Sequence, residues 1–105
     1  AVVALLEKAD YFHSTGDLVA EAATIERALR INPGDAHLWS RLAAVRLEQG
    51  QARQAEQMAL KSNSLAAGNN HLMAKNWLMV ARARWALDDA DGAHQAEQQA
   101  SELRD

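Results

Sequence analysis

The chain has 105 residues, of which 14 are acidic and 11 are basic, so its net charge is −3 with the histidines neutral. It has no cysteine, which excludes disulfides, cysteine-ligated zinc and thiol catalysis. Both signs of charge are interspersed, so nucleic acid has no basic surface to bind, and no apolar run approaches the roughly 20 residues of a membrane span.

The composition favours helices, because alanine supplies much of the hydrophobic content and the chain has one proline. Apolar periodicity and turn residues predict six helices, and the fold class is all-α. In chain order they span about residues 2–14, 18–31, 36–49, 52–64, 71–87 and 90–103. Gly16, Pro33, Gly50 and Asp88 mark turns, and Asp35 is the predicted N-cap of the third helix. No linker interrupts the series, which predicts one domain over residues 1–105.

A spacing recurs along these helices. Trp39 is followed 38 residues later by Trp77 and preceded 34 residues earlier by Leu5. An alanine stands four positions after each of the three, and a turn residue stands eleven positions after. Two helices in about 34 residues predict a stacked repeat, which usually forms a binding surface. The four extra residues before Trp77 equal about one helical turn, so the fifth helix is expected to start a turn early.

The most specific stretch is residues 25–33, Ile-Glu-Arg-Ala-Leu-Arg-Ile-Asn-Pro, which closes the second helix. With the spacing above, it resembles the tetratricopeptide repeat, whose pattern runs Trp-x2-Leu-Gly-x2-Tyr, then Ala-x3-Phe, then Pro. The resemblance covers nearly the whole chain as three repeats, at about residues 2–35, 36–69 and 70–105. It implies six helices stacked as a short right-handed superhelical solenoid.

Several residues depart from this pattern. Lys8 and Glu21 stand where the first repeat is expected to have leucine and alanine, and we expect them to form an ion pair at the open end of the stack. Arg46 and Arg84 occupy tyrosine positions. Asp88 replaces a turn glycine, and aspartate tolerates a left-handed backbone better than most residues.

The resemblance also implies a concave groove, lined by the first helix of each repeat, in which a protein or peptide partner lies. Apolar positions with a few charges suit such a partner. By register, Val3, Leu6, Ala44 and Glu48 face the groove. The predicted partner-binding residues are Asp10, His13, His37, Ser40, Leu47, Lys75, Leu78, Arg82 and Trp85. For Trp85, packing beneath the final helix is an equal alternative, whereas Trp39 and Trp77 are predicted to be core.

Some ligand classes are disfavoured. Repeats that clamp the C-terminal carboxylate of chaperones carry lysine and asparagine where this chain has Leu6 and Asp10, and Asp10 repels a carboxylate. Lys75 and Arg82 can still hold an acidic side chain. The four histidines lack metal-ligand spacing, and no residue pattern is typical of a nucleophilic site. We therefore predict no metal, no cofactor and no catalysis.

Residues 61–66, Lys-Ser-Asn-Ser-Leu-Ala, and 75–77, Lys-Asn-Trp, are similar to small tetratricopeptide lipoproteins of Gram-negative bacteria. That group includes activators of bifunctional peptidoglycan synthases, a class of penicillin-binding protein. The resemblance implies a monomeric adaptor at the periplasmic face of the outer membrane, with a lipid anchor on a segment preceding residue 1. The alternative is a structural or self-associating segment of a larger tetratricopeptide assembly.

Overall fold

A computed structural model describes residues 1–104, which form six α-helices joined by short turns. The helices are α1 (Val2–Thr15), α2 (Leu18–Ile31), α3 (Ala36–Glu48), α4 (Ala52–Leu65), α5 (Asn70–Ala86) and α6 (Ala90–Arg104). The six predicted helices are confirmed, with ends that shift by at most one residue. Asp105, which the predicted domain includes, lies outside the described residues.

The helices pack as three hairpins in series. α1 packs on α2, α3 on α4, and α5 on α6, while the contacts of α2 with α3 and of α4 with α5 join consecutive hairpins. α3 also contacts α5. α5 is the longest helix, at 17 residues, as the extra turn before Trp77 predicts. None of the helices within residues 1–104 has the length and apolar content needed to cross a membrane.

Small residues occupy the helix crossings. Ala9, Ala28 and Ala55 are fully buried, and the absence of a larger side chain lets the helix backbones approach closely. Larger side chains fill the space between the crossings, and Ile25 and Val80 are fully buried in the first and second core clusters. The high alanine content therefore reflects close packing of the hairpins as well as helix propensity.

Trp39 and Trp77 lie at the edges of these two clusters and are half-buried, so the prediction that they are core is only partly right. The indole Nε1 of Trp39 donates a 2.8 Å hydrogen bond to the carbonyl of Pro33. Lys61 places its Nζ 6.0 Å from the centre of the Trp39 ring. Trp39 therefore ties the turn after α2 to the next hairpin, and this polar contact keeps part of its ring at the surface.

The turns follow the backbone preferences of their residues. Gly16 ends α1 with φ +77°, in the left-handed region, and Asp88 is the one non-glycine residue within residues 1–104 with a positive φ, at +60°. Asp35 Oδ1 accepts hydrogen bonds from the amides of His37 and Leu38, which confirms it as the N-cap of α3.

We expect Gly16→Ala to lower the free energy of unfolding by about 1 kcal/mol, because alanine is strained in the left-handed conformation. Gly34→Ala is the matched control, since Gly34 needs no positive φ and a Cβ there meets open space. Urea unfolding followed by circular dichroism measures both. Equal stability of the two variants would contradict this account of the α1 cap.

The two arginines at tyrosine positions form a repeated ion pair between hairpins. Arg46 of α3 lies 3.1 Å from Glu26 of α2, and Arg84 of α5 lies 3.0 Å from Glu56 of α4. Arg84 also donates to the carbonyl of Gly92 in α6. In each case the arginine side chain, at a position where the repeat pattern has tyrosine, reaches a glutamate of the preceding hairpin. The resulting ion pair fixes the spacing of successive repeats.

A buried polar chain joins the second and third hairpins. Asn76 has no solvent exposure, and its Nδ2 donates to Ser62 Oγ at 2.7 Å and to Asn63 Oδ1 at 2.9 Å. Ser62 Oγ in turn donates to the carbonyl of Ala36 at 2.7 Å. Because these residues belong to α3, α4 and α5, the chain fixes the position of α5 relative to the second hairpin.

Candidate partner-binding groove

A crevice of about 350 Å³ opens where α1, α3 and α5 face one another, and we call it the groove pocket. Its lining comes from these three helices and from one residue of α2. The lining residues are His13, Glu21, His37, Ser40, Arg41, Ala44, Val45, Glu48, Leu72 and Lys75. The pocket therefore joins all three hairpins on the side where the predicted groove lies.

Four of the nine predicted partner-binding residues meet in the groove pocket: His13, His37, Ser40 and Lys75. They come from three different helices, so the repeat register brings them together even though the sequence separates them widely. A fifth, Asp10, lies beside the pocket and forms an ion pair with Arg41, with 2.7 Å between Nη2 and Oδ1.

Glu21 lies at the base of the pocket and is 2% exposed. His13 Nδ1 lies 3.1 Å from one carboxylate oxygen of Glu21, and Arg41 Nε lies 3.6 Å from the other. The predicted ion pair between Lys8 and Glu21 is therefore wrong. Lys8 and His13 are five residues apart, which places them about 140° apart around α1. Only the His13 side faces Glu21, while Lys8 lines a different crevice.

Arg41 is the centre of charge in the N-terminal half of the pocket. It contacts both Asp10 of α1 and Glu21 of α2, and 27% of its side chain is exposed. The two carboxylates it contacts outnumber this single cation, so this half of the pocket keeps a net charge of about −1 with His13 neutral. The acidic residue at position 10, predicted to face a partner, is instead partly committed to Arg41.

The α5 side of the pocket has a different character. Lys75 is exposed, and within residues 1–104 it forms no ion pair with a carboxylate. Leu72, one turn earlier, is buried and forms part of the apolar wall. A free cation next to an apolar wall suits a partner side chain that carries an acidic end.

The remaining predicted residues lie outside the groove pocket: Leu47, Leu78, Arg82 and Trp85. Leu47 is half-buried against the second core cluster, and the other three are exposed. Trp85 is 44% exposed, so it is not a core residue. Its Nε1 donates to Glu97 at 3.3 Å and its ring lies edge-on to His94, which places it against the surface of α6.

The sequence reasoning missed Glu21 and Arg41 as groove residues. A signal was present, since a glutamate at a position that needs a small apolar residue must find a cation when buried. Arg41 directly follows the groove residue Ser40, and its long side chain spans the distance to α2. The pairing depends on that reach, which residue spacing does not encode.

Comparisons with known proteins support the helical-repeat fold. The family model for the tetratricopeptide repeat matches residues 24–57. The globular C-terminal domain of P. aeruginosa LpoP is 44% identical, with a TM-score of 0.90 over 95% of this chain and 94% of that domain.

The N-terminal domain of stress-induced protein-1 from C. elegans has a TM-score of 0.89 over 100% of this chain and 86% of that domain. At 20% identity, this second likeness shows the fold alone. No curated protein sequence matches the chain. Together the matches confirm the predicted resemblance to helical repeats.

Proposed function

This chain belongs to the tetratricopeptide-repeat family, and we propose that it is a non-catalytic module whose groove binds and activates a bifunctional peptidoglycan synthase. The likeness to the LpoP domain over nearly the full length supports this choice within the family, together with the lipoprotein resemblance of residues 61–66 and 75–77. One observation supports the groove as the binding site. Lys75 has no carboxylate partner within residues 1–104 and lies beside the apolar wall of the groove pocket.

The charges of the groove define the partner segment. Its N-terminal half keeps a net charge of about −1, because Arg41 is the single cation beside two carboxylates, Asp10 and Glu21. On α5 two cations are exposed: Lys75, which lines the groove pocket, and Arg82, which lies two turns further along the helix and outside the pocket. We therefore expect the bound segment to place an acidic side chain near α5. Since the groove wall is made of packed helices, it loses little conformational entropy on binding.

The non-catalytic part of the proposal is supported by the lack, within residues 1–104, of a base that hydrogen-bonds to the hydroxyl of the pocket. A serine nucleophile needs a base within hydrogen-bond reach. Ser40 is the hydroxyl in this pocket, and its Oγ has no hydrogen-bond partner within residues 1–104. His13 is occupied by Glu21. The pairing of His13 with Glu21 helps to hold the pocket in shape.

The double variant Lys75→Glu/Arg82→Glu tests the proposal. We expect its affinity for a purified bifunctional synthase, taken from the organism that encodes this chain, to fall about tenfold or more, because both cations become repulsive. Isothermal titration calorimetry measures the affinity, and the rate of glycan polymerisation measures activation. Arg30→Glu/Arg53→Glu is the matched control, since it reverses two exposed cations on α2 and α4.

Equal weakening by both double variants would argue against the groove, because it would indicate only a general effect of charge. Wild-type chain that binds the synthase without changing its rate would contradict activation. A wild-type chain that ignores the synthase and forms dimers in light scattering would replace the proposal with the self-associating alternative.

A further inference from the structure

The first hairpin exposes a face that no helix within residues 1–104 covers. An open crevice of about 730 Å³ runs along it between α1 and α2. We call this surface the α1/α2 face and define it by Ala4, Lys8, Tyr11, Ala23 and Arg27. Tyr11 is 64% exposed, which is unusual for a large aromatic side chain on a small domain.

The internal repeat indicates which kind of element fits this face. Its three α1 residues correspond, 34 positions later, to Leu38, Leu42 and Val45 of α3. Those residues are 2–3% exposed, because they share one core cluster with Ile25 and Leu29 of α2. The next step repeats the arrangement, with α4 packed on α5. In both interior cases the element that packs on the face is an α-helix.

The charge of the α1/α2 face indicates which kind of helix fits it. Lys8 stands where the second repeat has Leu42, and Arg27 lies across the crevice on α2. Neither cation forms an ion pair within residues 1–104. With Glu7 as the one acidic residue in the lining, the face carries a net charge of about +1. A helix that packs here brings both cations toward an apolar surface and needs a carboxylate to balance them.

We propose that the α1/α2 face docks an amphipathic helix of a partner protein, which packs apolar side chains against Ala4, the counterpart of Leu38, and places a carboxylate near Lys8 and Arg27. A second copy of this chain fits the face poorly. In head-to-tail stacking it would present α6. That helix offers a carboxylate in Glu97, but its residues equivalent to the apolar Ile25 and Leu29 are the polar residues Glu97 and Ser101, so it has no apolar side to pack on the face. The proposed site is separate from the groove pocket and does not depend on the function of the groove.

A helical peptide derived from α2 provides a defined probe. The peptide contains residues 17–31 and carries Leu29→Glu. Leu29 and Leu42 line one crevice in the protein, so the new carboxylate lies next to Lys8 if the peptide packs as α2 does. A hydrocarbon staple between positions 19 and 23, both exposed on α2, holds the helix, because a peptide of this length is otherwise marginally helical. The control peptide carries Leu29→Lys.

We expect the wild-type chain to bind the Leu29→Glu peptide about fivefold more tightly than the Leu29→Lys peptide, as for an exposed ion pair. Fluorescence anisotropy measures both affinities. The Lys8→Glu protein is expected to reverse the preference. Lys75→Glu, in the groove pocket, is expected to leave it unchanged, which separates this site from the groove.

Equal affinity for the two peptides, or no binding of either, would overturn the proposal. So would full binding by Ala4→Trp, because that side chain fills the position equivalent to Leu38 while Ala4 is exposed and tolerates the change. If light scattering shows that the wild-type chain dimerises, and the dimer forms through this face, then the face binds a second copy of the chain.

Discussion

Replacing Arg41 with methionine is expected to lower the free energy of unfolding by about 3 kcal/mol. Arg41 lies 3.6 Å from the carboxylate of Glu21, which is 2% exposed. Without the guanidinium the buried charge keeps only His13, at 3.1 Å. Removing one partner of a buried ion pair leaves a poorly solvated charge, which costs more than the pair itself contributes. Urea unfolding at neutral pH measures the loss.

A double-mutant cycle with Glu21→Gln separates this effect from lost packing. We expect Arg41→Met/Glu21→Gln to be more stable than the sum of the single variants predicts, since neither charge then remains. Asp10→Asn is the control for the exposed partner of Arg41, and its effect is expected to stay below about 1 kcal/mol. Arg41→Met with wild-type stability would show that Glu21 needs no cation.

Asn76→Ala is expected to cost about 2 kcal/mol of folding stability, because it leaves buried polar groups unpaired. Asn76 donates to both Ser62 and Asn63, and all three lie at the junction of the second and third hairpins. Thermal unfolding monitored by circular dichroism measures the change. Asn70→Ala is the matched control, since Asn70 is exposed at the start of the same helix.

If Asn76→Ala and Asn70→Ala have the same melting temperature, the polar chain contributes no stability. If Asn76→Ala lowers the protection of amides from hydrogen exchange only in α5 and α6, this result would support the role of Asn76 in joining the hairpins. That second readout matters because a general loss of stability does not locate its origin.

The turns were the most predictable part of the fold. Gly16 and Gly50 adopt positive φ, and Asp88 adopts it where most repeats use glycine, so the residue preferences fixed the helix ends closely. Asp35 capped α3 as its side-chain chemistry predicts. These are local effects, in which one residue type suits one backbone geometry. They can therefore be predicted from the residue at each position alone.

The ion pairs were less predictable, because they depend on side-chain reach between helices. Lys8 and Glu21 both depart from the repeat pattern, which led to the prediction that they form an ion pair. In the structure the buried carboxylate of Glu21 instead contacts His13 and Arg41. For Arg46 the repeat pattern indicates only a departure from tyrosine, whereas in the structure its guanidinium forms an ion pair with Glu26. A pattern of positions identifies the unusual residue but not the direction of its side chain.

The groove was predicted in outline. The repeat register brought His13, His37, Ser40 and Lys75 into one pocket, since each lies on the same side of its helix. The alternative that Trp85 packs beneath the final helix is partly right, because its ring rests against α6 while 44% of the residue stays exposed. Which of the predicted residues touch a partner remains a prediction, for which the α5 charge reversal is the test.

The order in which the hairpins pack has a consequence for how the molecule opens. The backbone contacts between helices within residues 1–104 join elements that are adjacent in the chain or one helix apart. The first hairpin meets the rest mainly where α2 packs on α3, and α1 adds the ion pair of Asp10 with Arg41. Such a chain closes only short loops as it folds, so we expect fast folding. Native-state exchange should then be graded, with α1 amides opening first and those beside Asn76 last. Within residues 1–104, α1 would thus open more readily than the second and third hairpins.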